Sequence, residues 1–265
     1  MGKALELITG FVTAPGATFT PWTLAAGNSL TVRNAPLEKK VLLLQAWADN
    51  QAVGTLRIRS PKLHDNVQGI RLDITASDVV PLLVPEIVQV LFPQDVLVVE
   101  QTGSSAAGDI ESGCLLVYYD ELPGVEARFI DEATLKKRMR NIFTVENTLA
   151  LGVSGGYSGE EAINSEFDLF KANTDYALVG YLVDVECACV RWRGSDVGNL
   201  GIGGPGNELM RQLTRHWFIG LSRFTGIPLI PVFNSANRAA ILIDGAQDEN
   251  GANPTVTSIF AELGA

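Results

Sequence analysis

Residues 152–156 read Gly-Val-Ser-Gly-Gly and match G-x-S-x-G, the turn that exposes a nucleophilic serine in α/β-hydrolases. An acidic residue and then His216 follow Ser154, in the chain order that such a hydrolase uses. That turn requires a strand before it, a helix after it and a parallel sheet around it. Here a glycine-rich loop follows and the surrounding pattern is antiparallel β. We therefore predict a linker between two folded units and assign no catalytic residue.

A second pattern, G-x-G-x-x-G, spans residues 201–206 and is typical of dinucleotide-binding loops. Such a site also needs an Asp or Glu about 20 residues downstream. The chain has no acidic residue between Glu208 and Asp244. We interpret the glycines as residues that leave the end of a β-strand without side chains, and we predict no bound cofactor.

Few residues are suited to binding a metal. The two histidines, His64 and His216, lie in different halves of the chain, whereas a cupin-type metal site needs clustered histidines. An acidic loop near the C-terminus offers oxygen ligands for Ca²⁺. Its candidate ligands are Asp244, Asp248, Glu249 and Asn250. We interpret this loop as solvated and predict no metal site.

Three cysteines, Cys114, Cys187 and Cys189, are too few for a disulfide scaffold and fit folding in a reducing compartment. Cys187 and Cys189 are two residues apart in a strand-like run, so they share a sheet face and are badly placed to bond each other. We expect buried thiols, with an intersubunit contact as the alternative.

Composition restricts the possible partners. The 265 residues carry a formal net charge of −10, which argues against general nucleic-acid binding because such binding needs a basic footprint, and we predict no sequence-specific nucleic-acid partner. Residues 7–32 are uncharged, but Pro, Gly, Thr and Asn interrupt them, so we predict no membrane helix there. We expect no signal peptide, because Glu6 breaks the first apolar run.

The chain repeats part of its own pattern. Residues 53–61 and 197–205 both follow V-G-x-L-x-I-x-x-P, with a displacement of 144 residues (200 − 56). Residues 97–100 and 241–244 repeat at the same displacement, and Trp47 and Trp192 match loosely at 145. Several matches in one order indicate a fold unit that is used twice.

Each unit shows the hydrophobic patterns of β-strands. Residues 41–47 are almost wholly apolar, which indicates a strand buried on both faces, and residues 55–59 alternate apolar and basic side chains. Turn signals recur about every 8–12 residues. We predict an all-β fold of two tandem jelly rolls, each an eight-stranded antiparallel sandwich, joined by a short helix.

The connecting helix is predicted over residues 131–143, with Asp131 as its cap and an apolar face. That face comprises Leu135, Met139, Ile142 and Phe143. The basic residues around it are Lys136, Lys137, Arg138 and Arg140. They are interpreted either as solvated and paired with acids, or as facing anionic lipid or packaged nucleic acid. A second helix is predicted over residues 207–221.

These patterns divide the chain into four segments. We predict an N-terminal arm at 1–23, a first jelly roll at 24–124, a connector with the amphipathic helix and a glycine-rich link at 125–165, and a second jelly roll at 166–265.

A chain of this length with two similar β units and a nearly uncharged arm resembles the double jelly-roll major capsid proteins of tailless, membrane-containing icosahedral phages of the corticovirus and tectivirus kind. Residues 25–29, Ala-Ala-Gly-Asn-Ser, are the local stretch that is similar. The resemblance implies a structural protein with no enzymatic activity, whose homotrimers of pseudo-hexagonal outline tile an icosahedral capsid. It implies assembly in the host cytoplasm and a final location in the virion.

The resemblance also implies partners. These are minor capsid or penton proteins and, through the basic residues of the connecting helix, the lipid of an internal membrane. The alternative is a two-domain β-sandwich module that binds carbohydrate or protein. That alternative predicts a monomer with exposed aromatic side chains. Trp47 and Trp192 could serve that role, but their position inside apolar runs indicates that they belong to the core.

Overall fold

The computed structural model describes residues 2–63, 65–75, 80–81, 88–152, 155–207, 210–247 and 253–264. These residues form nineteen β-strands and three short α-helices, and the strands belong to four sheets that are antiparallel throughout. The all-β fold class is therefore confirmed. No helix in these ranges is long and apolar enough to cross a membrane.

The first half of the chain folds into two sheets. Its strands are β1 (Gly2–Thr13), β2 (Thr20–Pro21), β3 (Thr23–Leu24), β4 (Val41–Asp49), β5 (Gly54–Arg59), β6 (Ile70–Ile74), β7 (Val80–Pro81), β8 (Gln89–Leu91), β9 (Val98–Gln101) and β10 (Ile110–Leu122). Sheet A has the order β3-β1-β10-β4-β7, with β8 also paired to β4, and sheet B has the order β2-β9-β5-β6.

The second half also folds into two sheets. Its elements are β11 (Arg128–Ile130), α1 (Glu132–Arg138), β12 (Met139–Thr148), β13 (Tyr157–Ala162), β14 (Asp175–Val183), β15 (Cys187–Arg193), β16 (Ile202–Gly206), α2 (Arg211–Thr214), α3 (Trp217–Thr225), β17 (Ile230–Asn234), a 3₁₀-helix (Ser235–Ala240), β18 (Leu242–Ala246) and β19 (Thr255–Leu263). Sheet C has the order β13-β18-β15-β16, and sheet D has the order β11-β17-β14-β19-β12.

Both halves have the same strand order. In the first half the principal strands are β1, β2, β4, β5, β6, β8, β9 and β10, and in the second half they are β12 to β19. In each half one sheet holds the first, eighth, third and sixth of these strands, and the other holds the second, seventh, fourth and fifth. This is the topology of an eight-stranded jelly roll. The prediction of two tandem jelly rolls is confirmed.

The sequence repeat is only partly in register with the structural repeat. The 144-residue displacement relates β9 to β18, which occupy the same place in their rolls. It also relates residues 53–61, which contain β5, to residues 197–205, which contain most of β16, but the structural equivalent of β5 is β15. Trp47 and Trp192, on β4 and β15, are not equivalent either. Short apolar strands resemble one another regardless of their place in a sheet, so sequence similarity alone misassigned these pairs.

Sheet A is buried on both faces, because it packs against sheet B on one side and against the second roll on the other. Successive side chains of β1 alternate between the two cores: Ala4 and Ile8 belong to the core shared with sheet B, whereas Leu5 and Leu7 belong to the core shared with the second roll. The four sheets therefore stack in the order B, A, C, D. The fully buried β4 has the apolar pattern expected of such a central strand.

Direct hydrogen bonds cross the seam between sheets A and C. The Leu7 N–H donates to the Gly201 carbonyl at 3.0 Å, and the Trp47 indole N–H donates to the Ala188 carbonyl at 3.0 Å. Side chains from both rolls form one buried hydrophobic cluster around these bonds. The two rolls are therefore joined by a continuous core as well as by the chain.

Residues 1–23, predicted as an arm, contain the first strand of the first roll. Strand β1 pairs with β10 along its whole length. Gly10, expected to interrupt the segment, lies in the strand and leaves space for the Trp22 ring, which a Cβ at that position would overlap. Glu6 is buried and accepts hydrogen bonds from Arg33 and from the Tyr119 hydroxyl. The segment is folded because β1 pairs with β10 and buries its apolar side chains, and its one buried charge is paired.

The helix predicted over residues 131–143 is shorter. Asp131 caps it as predicted, accepting a hydrogen bond from the Thr134 N–H at 2.7 Å, but α1 ends at Arg138. Met139, Ile142 and Phe143 lie instead in β12, which pairs with β19. Ladder hydrogen bonds and the burial of Phe143 among the rings of Phe170 and Tyr176 outweigh the helical spacing.

The segment predicted as a connector, residues 125–165, supplies strands to the second roll. Strands β11, β12 and β13 pair with β17, β19 and β18, respectively. Only residues 123–127 separate the last strand of the first roll from β11. The glycine-rich stretch around residue 155 lies between β12 and β13, inside the second roll, because a jelly roll crosses from one sheet to the other there.

Candidate assembly surfaces

Helix α3 connects the surface of the second roll to the core at the seam. The Trp217 indole N–H donates to the Gly203 carbonyl at 2.9 Å. The Phe218 ring lies 6.2 Å from that of Trp192. The helix ends at Gly226, whose φ of 68° is the left-handed conformation that glycine adopts most easily. These anchors fix the position of the helix, so its exposed side chains form a rigid surface.

An apolar groove runs along one side of α3. It has a volume of about 530 Å³ and lies between α1, β12 and α3. Met139 and Ile142 on β12 are 41% and 54% exposed and line this groove with Ile219 of α3. Strand β12 is at the edge of sheet D, so among the described residues one side of its backbone has no neighbouring strand. We call this feature the β12 groove.

A second groove of about 790 Å³ lies where α3 meets the first roll. Val90 of β8 and Phe224 of α3 line it and are 48% and 46% exposed. The buried core residues Leu42 and Tyr118 form part of its wall. We call this feature the seam groove, and α3 with both grooves the α3 face. Clustered exposed apolar side chains of this kind are typical of interaction surfaces.

Sequence reasoning missed the α3 face. The helix predicted over residues 207–221 is found as two pieces, α2 and α3, and the second piece continues to Thr225. Gly226 and Pro228 mark the end of a helix and could have placed its boundary correctly. Met139 and Ile142 were assigned to the apolar side of a helix, and their exposure on an edge strand follows only from the pairing of β12.

The predicted basic cluster lies at the end of α1 and the start of β12, and half of it is neutralised within the chain. Lys136 pairs with Glu132 at 2.7 Å. Arg138 donates to the Gly264 carbonyl at 2.9 Å and lies 3.5 Å from Asp175. Lys137 and Arg140 are exposed, and neither forms an ion pair with any residue that the structure describes. The net basic patch is therefore smaller than the sequence indicates.

Glu132 joins α1 to α3. Its carboxylate accepts two hydrogen bonds from the Arg223 guanidinium, at 2.8 and 2.7 Å, and pairs with Lys136 one turn along α1. The hydrogen bonds from Arg223, and then the one from Lys136, lower the pKa of Glu132 to about 2. This contact forms one end of the β12 groove.

We expect ¹³C NMR titration of the Glu132 carboxyl to give a pKa of about 2. Because the folded-state pKa lies below its ordinary value of 4.5, the stabilisation is complete above that pH and is lost as the pH falls toward 2. Arg223→Ala should raise the pKa toward 4.5. Lys137→Ala, a neighbouring charge without an ion pair, is the control and should not move it. Titration of the wild type near 4.5 would contradict the contact.

The two glycine motifs fall in different settings. Ser154 of the G-x-S-x-G pattern lies outside the described residues, and the Gly152 N–H donates to Ser158 Oγ at 2.8 Å. His216 is exposed at the start of α3. In the G-x-G-x-x-G pattern, a Cβ at Gly203 would overlap the Val190 carbonyl. The glycines of β16 thus permit close packing against β15, as the sequence interpretation expected.

Candidate metal ligands are not brought together in the part of the chain that is described. No group of three or more His, Cys, Asp or Glu residues there could hold a metal ion. Asp244 is buried and engaged by Arg191 and Arg193. His64, Asp248, Glu249 and Asn250 lie outside the described residues. All three cysteines are buried free thiols, as expected.

Comparisons with known proteins give distant similarity only. No family model matches the chain, and no curated protein matches it. A crystal structure of the PBSX exported protein XepA aligns with 98% of this chain and 86% of its own, at 10% identity and a TM-score of 0.28. A structure of the triple jelly-roll fold and turret assembly of an archaeal virus aligns with 100% of this chain and 80% of its own, at 8% identity and a TM-score of 0.23. Scores this low carry no argument, so function rests on the geometry above.

Proposed function

We propose that this chain is a major capsid protein that assembles as a homotrimer of pseudo-hexagonal outline into an icosahedral shell. The observation that supports the proposal best is the presence of two jelly rolls with identical strand order in one chain. Their shared core joins them into a single building block. In this role the protein has no catalytic residues and no cofactor.

The two rolls in one chain suit the symmetry of a hexagonal lattice. A closed trimer needs only one kind of interface repeated three times. Three chains with two similar rolls each present six similar units, so the trimer imitates six-fold symmetry and fits a hexagonal lattice. A chain with a single roll would need six copies for the same outline.

The α3 face is our candidate for the contact between neighbouring subunits. Its four exposed apolar side chains, Met139, Ile142, Val90 and Phe224, lie on both sides of a helix fixed to the core. Burial of apolar surface is the main source of stability in permanent interfaces. A second copy of the chain is the occupant that the proposal assigns to this face.

Two further contacts belong to the proposal. Minor capsid or penton proteins would meet the trimers at the vertices of the shell. The basic residues Lys136, Lys137, Arg138 and Arg140 would face the headgroups of an internal membrane, and Lys137 and Arg140 contribute most because Lys136 and Arg138 are paired within the chain. The site of assembly would be the host cytoplasm and the final location the virion.

The solution mass of the purified chain tests the proposal, together with negative-stain images of the same sample. We expect three times 28.4 kDa and particles of hexagonal outline. A monomer at micromolar concentration would contradict it. That outcome would favour the alternative of a two-domain binding module, although Trp47 and Trp192, the aromatic residues proposed for that role, are fully buried.

A matched pair of variants tests the assigned face. The double variant Ile142→Asp and Phe224→Asp should be monomeric and should keep the far-UV circular dichroism of the wild type, because both side chains are exposed. Val53→Asp alters a side chain that is 76% exposed before β5, outside the α3 face, and should stay trimeric. If both proteins remain trimers, the contact lies elsewhere.

A further inference from the structure

Two cysteine thiols from different rolls meet at the seam. Cys114 lies on β10 of the first roll and Cys189 on β15 of the second. Thr9 Oγ1 lies 3.3 Å from the Cys114 sulfur and 3.5 Å from the Cys189 sulfur. Both cysteine side chains are completely buried.

The sheets approach more closely here than sheets normally do. Facing sheets are usually about 10 Å apart, which is too far for a disulfide between them, because that bond needs Cα atoms about 4.4–6.8 Å apart. At this seam, Cα atoms of β10 and β15 come within 8 Å. The Cys114 thiol lies 3.9 Å from the Ala188 carbonyl. The Thr9 hydroxyl between these strands contacts both sulfurs, so this seam is a place where a disulfide between facing sheets can form.

The third cysteine has different surroundings. The Cys187 sulfur lies 3.6 Å from the carbonyl oxygen of Cys189, and it packs against Gly206 of the neighbouring strand. It shares strand β15 with Cys189, so a bond between these two would join residues of one strand. Cys187 is thus a natural internal control for the other two.

We propose that Cys114 and Cys189 are an oxidisable pair that forms a disulfide between the two jelly rolls. The bond would add a covalent link to a seam that is otherwise held by packing and hydrogen bonds. Its oxidant is a small-molecule disulfide such as oxidised glutathione. The proposal rests on the seam alone and is independent of the assembly state.

The reaction consists of two thiol–disulfide exchanges. The thiolate of one cysteine attacks one sulfur of the oxidant, which forms a mixed disulfide and releases one thiolate. The thiolate of the other cysteine then attacks the protein sulfur of that mixed disulfide and releases the second. The two protein thiols lose two electrons and two protons, and the oxidant becomes two thiols.

In the closed seam the two thiols have different surroundings. Burial by itself raises the pKa of Cys189, but the neighbouring Cys114 thiol, the Thr9 hydroxyl and the positive charge of Arg191 lower it below its ordinary value. Burial, together with the neighbouring Cys189 thiol, raises the pKa of Cys114. These shifts belong to the folded seam, whereas the exchange takes place as the rolls dock.

The closed seam excludes an oxidant, so the test forms the bond as the rolls dock. The full chain is unfolded in denaturant with reductant and refolded in a buffer of reduced and oxidised glutathione. It is then unfolded in N-ethylmaleimide, digested and mapped by mass spectrometry. We expect one cross-linked peptide that joins Cys114 to Cys189, with a mass about 2 Da below the sum of the two peptides because two hydrogens are lost. Cys187 should be alkylated.

Variants complete the test. Cys187→Ser should keep the cross-link, whereas Cys114→Ser and Cys189→Ser should abolish it and leave the remaining thiols alkylated. The wild-type peptide map decides the matter if a serine variant fails to fold. Full alkylation of Cys114 and Cys189 in refolded wild-type protein would overturn the proposal, and so would a Cys187–Cys189 bond.

Discussion

Replacing Asp244 by alanine is expected to lower the free energy of unfolding by about 3–5 kcal/mol, because it leaves a buried arginine without its counter-charge. Asp244 accepts hydrogen bonds from Arg191 at 2.8 and 2.7 Å. The two side chains are only 3% and 9% exposed. The Arg191 guanidinium also stacks on the Tyr157 ring at 3.3 Å, so it cannot reach water without moving that ring.

The pKa of Arg191 agrees with this view. Burial alone would lower it, but the hydrogen bonds to Asp244 raise it above its ordinary value. Arg191 therefore remains charged in the folded protein. Removing Asp244 leaves that charge between sheets A and C without the carboxylate that pairs with it.

A matched pair on the surface provides the control. Asp168 holds Arg238 with two hydrogen bonds of 2.9 Å, but these side chains are 39% and 32% exposed. Exposed pairs contribute about 0–1 kcal/mol, so Asp168→Ala should have little effect. Urea unfolding followed by circular dichroism measures both. Equal losses in the two variants would show that burial of the Asp244 pair does not matter.

Truncation of Trp47 to alanine is expected to cost about 3–5 kcal/mol, the range found for large aromatic side chains in cores. Trp47 is completely buried. Its ring lies 6.0 Å from that of Trp217, edge to face, and its indole donates to Ala188 in the other roll. The variant loses these contacts between the rolls and leaves a cavity at the seam.

The location of that cavity predicts a second effect. With the seam weakened, the two rolls should unfold in separate steps, so the urea transition of Trp47→Ala should become biphasic. Trp192→Ala is the matched control, because Trp192 is equally buried but bonds to Ser258 within the second roll. It should destabilise the protein without separating the rolls at the seam. A single sharp transition in Trp47→Ala would contradict the role assigned to the seam.

The fold class was predictable because strand patterns are local. The buried run at 41–47 and the alternation at 55–59 became β4 and β5, with Leu56 and Ile58 fully buried. The duplication was also visible in the sequence. Strands β9 and β18 are related by the repeat displacement of 144 residues, and they occupy the same place in their rolls. Successive side chains of a strand point to opposite faces of the sheet, so the alternation of apolar and polar residues can be seen directly in the sequence.

The position of each element in the fold was not predictable in the same way. Residues 139–143 have helical spacing, yet they form the edge strand β12, because pairing with β19 supplies hydrogen bonds that a helix end lacks. Residues 1–23 look like an arm, yet β1 pairs with β10 along its whole length. Both outcomes depend on partners about 100 residues or more away in the chain.

The amino-acid sequence therefore determined that the chain is all-β, that it uses one unit twice and that its cysteines are buried. Only the tertiary structure decided which residues meet at the seam. Arg191 and Asp244 are 53 residues apart, and Cys114 and Cys189 belong to different rolls. Their contacts arise from strand register and from the stacking of sheet A on sheet C. Both are determined by the packing of the whole core, so a local sequence pattern cannot predict them.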